Sequence, residues 1–220
     1  MTRLLIALTS HSELGDTGRA TGFYVSEAAE PWDVFTTAGF DVDLVSVKGG
    51  RPPIDGLDDT DPIQQKFLAD TDIDHTPTAA DLDASAYDAI LFAGGHGTMW
   101  DFPQADDLLK LAADIYEGGG VVAAVCHGPS ALINLKLSDG SYLIDGKNVA
   151  GFTNAEEETV GLTEVVPFLL ADTLTARGAI HHPAESWSAH SVVDGRLVTG
   201  QNPQSAELTA KNVTAVLAAS

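Results

Sequence analysis

The chain is poor in three things: cysteine, positive charge and long apolar runs. Cys126 is the single cysteine, which excludes an internal disulfide and a cysteine-cluster metal site. Lys and Arg number 11 against 32 Asp and Glu, a formal net charge of −21. A field of that sign repels phosphates, so a nucleic-acid partner is not expected. No stretch approaches the roughly 18 consecutive apolar residues of a membrane span, so no membrane partner is expected either. The opening run, Met1 to Thr9, is short and is followed by polar residues and Gly instead of a small-residue cleavage site. It reads as a buried first strand rather than a signal peptide, and the expected location is the cytoplasm.

Hydrophobic residues make up 44% of the 220 positions, enough for a full core. The runs Leu4–Leu8, Val42–Val47, Ala89–Ala93 and Val121–Val125 are short, wholly or largely apolar and bounded by Gly or polar residues. Such runs suit strands covered on both faces, as in a parallel sheet. Helical patterns lie at Ser26–Ala38, Gln104–Glu117 and Thr163–Arg177, the first two stopped by Gly39 and Gly118. The β-α-β alternation predicts an α/β three-layer sandwich with right-handed crossovers. Asp194-Gly195 between β-branched runs predicts a hairpin in the C-terminal half, and Pro203 opens a last helix running to about Leu217. Residues 50–83, with nine Asp and four Pro, read as an acidic surface insertion with one short helix at Ile63–Leu68. No repeat or linker divides the chain, so residues 1–220 are expected to form one domain.

Chemistry concentrates where strands end. In Ala124-Val125-Cys126-His127-Gly128-Pro129 an apolar strand stops abruptly at the cysteine. Small residues flank the bend, and Pro129 suits a first helical turn. This is the arrangement of a nucleophile elbow with Cys in place of Ser. A helix N-terminus there favours thiolate over thiol, and turn N–H groups can hold an oxyanion. The alternative is a small core hydrophobe, the usual fate of a free Cys. A second glycine turn, Ala93-Gly94-Gly95-His96-Gly97-Thr98, also follows an apolar strand. Its spacing matches neither dinucleotide nor P-loop phosphate sites. Two carboxylate positions stand out more weakly. Glu27 sits in the mostly apolar Gly22–Ala28 stretch, and Glu156-Glu157-Glu158 follows Gly151-Phe152-Thr153. Taken alone, the first reads as a snorkelling or capping side chain and the second as a solvated helix start.

Together these segments, with Thr199-Gly200-Gln201-Asn202-Pro203, resemble the class I glutamine amidotransferase-like superfamily in its PfpI intracellular-protease branch. Within it they are most similar to the heat-shock chaperone and glutathione-independent glyoxalase (glyoxalase III) group, over nearly the whole chain. The resemblance implies a flavodoxin-like sandwich and a homodimer. It implies a triad of Cys126, His127 and Glu157, with Glu156 or Glu158 as the acid if the register of the run shifts. It also implies Glu27 against the cysteine and an oxyanion pair of Gly95 and the His127 N–H. Many relatives carry a His before the proline at Ala28-Ala29-Glu30-Pro31. Its lack here, with His181 and His182 on opposite sides of an extended segment, leaves no metal site expected.

The function implied is cofactor-free conversion of a small dicarbonyl such as methylglyoxal into a hydroxy acid. Alternatives are a PfpI-like cysteine hydrolase or protein deglycase, and a stress chaperone or oxidation sensor without turnover. The expected thiol pKa lies below the ordinary value of about 8.5, through the elbow, the helix end and Glu27 together.

Asp outnumbers Glu by 22 to 10, and there are six Lys. That is the bias of a protein kept soluble in concentrated salt, where screening relieves self-repulsion; the alternative is an ordinary acidic cytosolic enzyme. A melting series in potassium chloride checks this: the transition should rise from low to molar salt, and an unchanged midpoint contradicts salt adaptation.

Overall fold

A computed structural model describes residues 2–219. In chain order the elements begin β1 (Arg3–Leu8), β2 (Phe23–Tyr24), α1 (Val25–Thr37), β3 (Asp41–Ser46), β4 (Ile54–Asp55) and α2 (Pro62–Asp70). They continue through β5 (Ala89–Phe92), α3 (Thr98–Asp101), α4 (Asp106–Glu117), β6 (Val121–Val125), β7 (Asn148–Val149) and α5 (Asn154–Thr159). The last are α6 (Leu170–Ala176), β8 (Ile180–His181), β9 (Ser191–Asp194), β10 (Leu197–Gly200) and α7 (Ala206–Ala219).

Six strands form the central sheet in the order β3-β1-β5-β6-β10-β9. All neighbouring pairs are parallel except the β9–β10 hairpin. Successive residues of the inner strands feed two separate cores, as the strand period of two demands. Leu5, Ala7, Ile90, Phe92, Val122 and Ala124 pack on the α4 side. Leu4, Ile6, Leu8, Leu91, Val121 and Ala123 pack on the α1 and α7 side. The α/β three-layer sandwich expected from the alternation, flavodoxin-like as the resemblance implied, is the fold found. Because the chain leaves β1 toward β3 and later returns to β5, the strand order reverses between β1 and β5. Ligands bind in the crevice at such a switch point, outside the carboxyl ends of the strands.

Two helical expectations change. The helix expected over Thr163–Arg177 is confined to α6, because Pro167 has no N–H to give and disfavours helical geometry at Val166. The α-helix expected after the elbow is a four-residue 3-10 turn, Gly128–Ala131. Within residues 50–83, Asp61 caps α2 by accepting from Ile63 and Gln64 N–H. Phe67 of α2 is fully buried, edge-on to Phe23 and Trp32 at centroid distances of 6.5 and 5.9 Å. The acidic segment is thereby pinned over α1 and the start of the crevice.

Candidate active site

Cys126 ends β6 with φ at 59°, a left-handed conformation that carries strain for a residue with a Cβ. Neighbouring strands hold it there. Its N–H donates to the Gly200 carbonyl at 3.0 Å, and the Cys126 carbonyl accepts from the Phe152 N–H at 2.9 Å. A Cβ on Gly128 would overlap the Phe92 carbonyl, and one on Gly94 would overlap the Glu27 carboxyl. The small residues on either side of the elbow are therefore set by close backbone approach. Gly95 has φ of 105°, and any side chain there would overlap the Gly22 carbonyl. The Thr98 hydroxyl bridges the two turns, at 2.9 Å from the Gly95 carbonyl and 3.1 Å from that of His127.

His127 Nδ1 lies 3.4 Å from Cys126 Sγ, and its Nε2 lies 2.7 Å from Glu157 Oε2. An ionised carboxylate can only accept, so Nε2 carries the proton and Nδ1 faces the sulfur as an acceptor. Burial raises the Glu157 pKa, but hydrogen bonds from His127 and His96 outweigh it and hold the carboxyl at about 2. Burial, then the neighbouring His96, lowers His127 to about 4, so the imidazole is neutral at pH 7.

The three consecutive glutamates separate by task. Glu156 turns away from His127: its carboxylate accepts from the backbone N–H of Thr153 and Trp187 and from the side chains of Gln201 and Asn202. The Gln201-Asn202 motif thus anchors Glu156 and, through it, the loop carrying Trp187. Glu158 is exposed. Glu157 alone of the three reaches the histidine.

His96 is the residue that sequence reasoning missed. Its Nε2 lies 2.8 Å from Glu157 Oε1, and its ring lies 4.1 Å from that of His127. Its side chain is 18% exposed, against 1% for His127. In the sequence it sits inside the glycine turn Gly94-Gly95-His96-Gly97. The signal available was a histidine at a second strand end, bordering the same sheet edge as Cys126. By contrast His181 and His182 diverge, His181 toward the Gly151 carbonyl and His182 toward Asn148.

Glu27, on the first turn of α1, is 0% exposed. Neither carboxyl oxygen meets full hydrogen-bond geometry with a protein group; the Cys126 thiol and the Gly94 N–H are the nearest polar partners. Burial above all raises Glu27 to about 8, so it holds its proton at neutral pH. Burial also pushes the Cys126 thiol up, and an ionised Glu27 would push it further. With Glu27 protonated that repulsion vanishes and its O–H becomes a donor toward sulfur. The short 3-10 turn adds little dipole, so the His127 N–H is the group that favours thiolate, and burial outweighs it. The thiol therefore stands above its ordinary value, not below it as the sequence suggested.

Glu27 titrates near 4.5 when unfolded and about 8 when folded, so its stabilising contribution is full below 4.5 and is lost as pH rises through 8. Glu30, raised by burial to about 7, acts the same way up to that pH. His127, lowered to about 4, contributes stability above 6.5 that is lost on acidification, and so offsets the carboxyls only below 6.5. Between about pH 7 and 8 urea unfolding should show the protein losing about 1 kcal/mol, and Glu27→Gln should flatten that loss. Parallel slopes in the two proteins would place the carboxyl's proton elsewhere.

Sequence and structure comparisons agree on kinship. The DJ-1/PfpI family pattern matches residues 19–215. Glyoxalase 3 of Candida albicans is 37% identical over 236 aligned residues that cover 98% of both chains. A glutathione-independent glyoxalase of Saccharomyces cerevisiae is 37% identical, covering 94% of each chain. Among solved structures, the Rapid Encystment Protein 24 kDa of Francisella tularensis superposes with a TM-score of 0.94 at 41% identity over 99% of both chains. Glyoxalase III from Candida albicans superposes with a TM-score of 0.90 at 35% identity, over 98% of this chain and 97% of that one. By its motifs, its fold and these full-length matches, the chain belongs to the DJ-1/PfpI family.

Proposed function

We propose that this protein is a glutathione-independent glyoxalase, converting methylglyoxal-type 2-oxoaldehydes to 2-hydroxy acids, D-lactate in the case of methylglyoxal. The observation that carries the reading is Cys126 held at φ 59° between the Nδ1 of a neutral His127 and the buried carboxyl of Glu27. Relatives named glyoxalases at 37% identity over nearly the full length support it.

The residues suit each step. His127 Nδ1 takes the thiol proton, and the thiolate adds to the aldehyde carbon to give a hemithioacetal. His127 returns that proton to the hemithioacetal oxygen and, neutral again, removes the proton on the same carbon; it then delivers this proton to the adjacent carbon of the enediolate, leaving a thioester. Water then cleaves the thioester, releasing the hydroxy acid and regenerating the thiol. Gly95 and His127 N–H groups are the donors placed for the developing oxyanion; among the described residues the Gly95 N–H has no protein acceptor. Glu157 orients His127 and stabilises its protonated form between steps. The thiol does the work glutathione does in other glyoxalases, so the scheme uses no cofactor.

Enclosure favours this over peptide hydrolysis or deglycation. Cys126 is 3% exposed, and the Phe152 ring lies tilted against that of His127 at a centroid distance of 4.2 Å. A thiol so covered admits a three-carbon aldehyde more readily than a polypeptide. The proposal extends to one domain spanning residues 1–220, with the acidic insertion at 50–83, acting as a homodimer in the cytoplasm. No helix among the described residues is long and apolar enough to cross a membrane.

Purified protein with methylglyoxal and no glutathione should form D-lactate. Cys126→Ala should abolish turnover, and His127→Asn should lower kcat roughly 10²–10⁴-fold. Absence of lactate from wild-type protein with its thiol demonstrably reduced would remove the reading.

A further inference from the structure

We infer that His96, His127 and Glu157 form a binding site for a borderline divalent cation of the zinc type, which on binding withdraws His127 from proton transfer. The site stands on donor geometry and does not depend on which substrate the enzyme uses.

Three ligand atoms converge: one ring nitrogen each of His96 and His127 and a carboxylate oxygen of Glu157 lie within 4.8 Å of one another, and both Nε2 atoms face the Glu157 carboxylate. They come from three separate elements, the β5 turn, the elbow and α5, each tied by backbone or capping hydrogen bonds. Two imidazoles and one carboxylate form a donor set suited to zinc, and it leaves a coordination position open. Tetrahedral zinc with bonds of about 2.0–2.1 Å sets its ligand atoms roughly 3.3 Å apart. The two imidazoles now bond different oxygens of Glu157, at 2.8 and 2.7 Å, and the donor atoms lie within 4.8 Å of one another, so binding requires the three side chains to close around the ion by small rotations. His96 supplies the entry side, since it is the ligand open to solvent. The net charge of −21 concentrates cations around the whole surface.

The consequence lies in the tautomer. Without metal, both Nε2 atoms donate to Glu157, and His127 Nδ1 is free to accept from the thiol 3.4 Å away. A metal on Nε2 needs its lone pair, so the ring proton transfers to Nδ1, with no net change in protonation of the neutral imidazole. His127 then presents N–H to the sulfur and has no site for the thiol proton. The sulfur is left uncoordinated, beside a donor, while any reaction that requires His127 as base stops. Cation binding and catalysis thus compete for one nitrogen atom.

The test uses the full chain freed of metal by dialysis against a chelator. Wild-type protein should bind one cobalt(II) with the visible bands of a low-coordinate N/O site and no sulfur-to-metal charge-transfer band in the near ultraviolet. Zinc should displace it. In competition with a chromophoric chelator, His96→Asn and Glu157→Gln should each weaken zinc binding by on the order of a hundredfold. Cys126→Ala should leave the affinity within about twofold of wild type. A charge-transfer band, or loss of binding in Cys126→Ala, would make the thiolate a ligand and overturn the assignment. Equal binding by wild type and His96→Asn would place the metal on the acidic surface and equally overturn it. The cobalt spectrum of the wild type decides even if a variant folds poorly, and because no readout uses substrate, failure here leaves the glyoxalase reading standing.

Discussion

A carboxyl group buried against a thiol organises this molecule. Glu27 and Cys126 lie together under the sheet edge, 0% and 3% exposed, and a low dielectric does not tolerate two negative charges at that separation. One proton must stay, and Glu27, raised to about 8, keeps it. Much of the local sequence serves that contact. Gly94 leaves room for the carboxyl, Gly128 lets the elbow pass under β5, and the strained φ of Cys126 aims sulfur at the crevice. The strain is borne by β6 and β10, whose ladder continues through the Cys126 N–H to Gly200.

On the other side of the sulfur the polar groups form a chain in which each has one task. Glu157 is saturated by two imidazoles, one on each oxygen, and is thereby kept ionised and immobile. Its neighbour Glu156 is held instead by Thr153, Trp187, Gln201 and Asn202 and fixes the Trp187 loop, which includes a second left-handed residue at φ 64°. The ring series His96, His127, Phe152, Trp187 then closes the site over the thiol. Rigidity supplied by buried hydrogen bonds replaces the long helix that the elbow lacks.

The fold was largely legible in the sequence because its strands are buried on both faces and so appear as bare apolar runs. The hairpin announced itself through Asp194-Gly195, and α7 through Pro203. Where the reading failed, a local signal was outvoted. Apolar periodicity over Thr163–Arg177 suggested a helix longer than Pro167 permits, and Pro129 suggested an α-helix where the chain makes a single 3-10 turn. Cys126 and His127 were visible as an elbow. Glu27 and Glu157 were not distinguishable from capping or solvated carboxylates until the resemblance assigned them, since burial is a tertiary property. His96 was hidden because its role arises from a partner 61 positions away, which no local pattern records.

The claim that most depends on this account is that Glu27 is the proton donor to sulfur and not a charge beside it. The two possibilities predict opposite signs. Ultraviolet thiolate absorbance of Cys126 against pH, in wild-type protein and in Glu27→Ala, measures the difference in one experiment. Loss of a donor should raise the thiol pKa in the variant, with Glu27→Asp intermediate. A fall in the variant's thiol pKa would show that Glu27 is ionised beside the cysteine, and would contradict the arrangement on which the proposed chemistry rests.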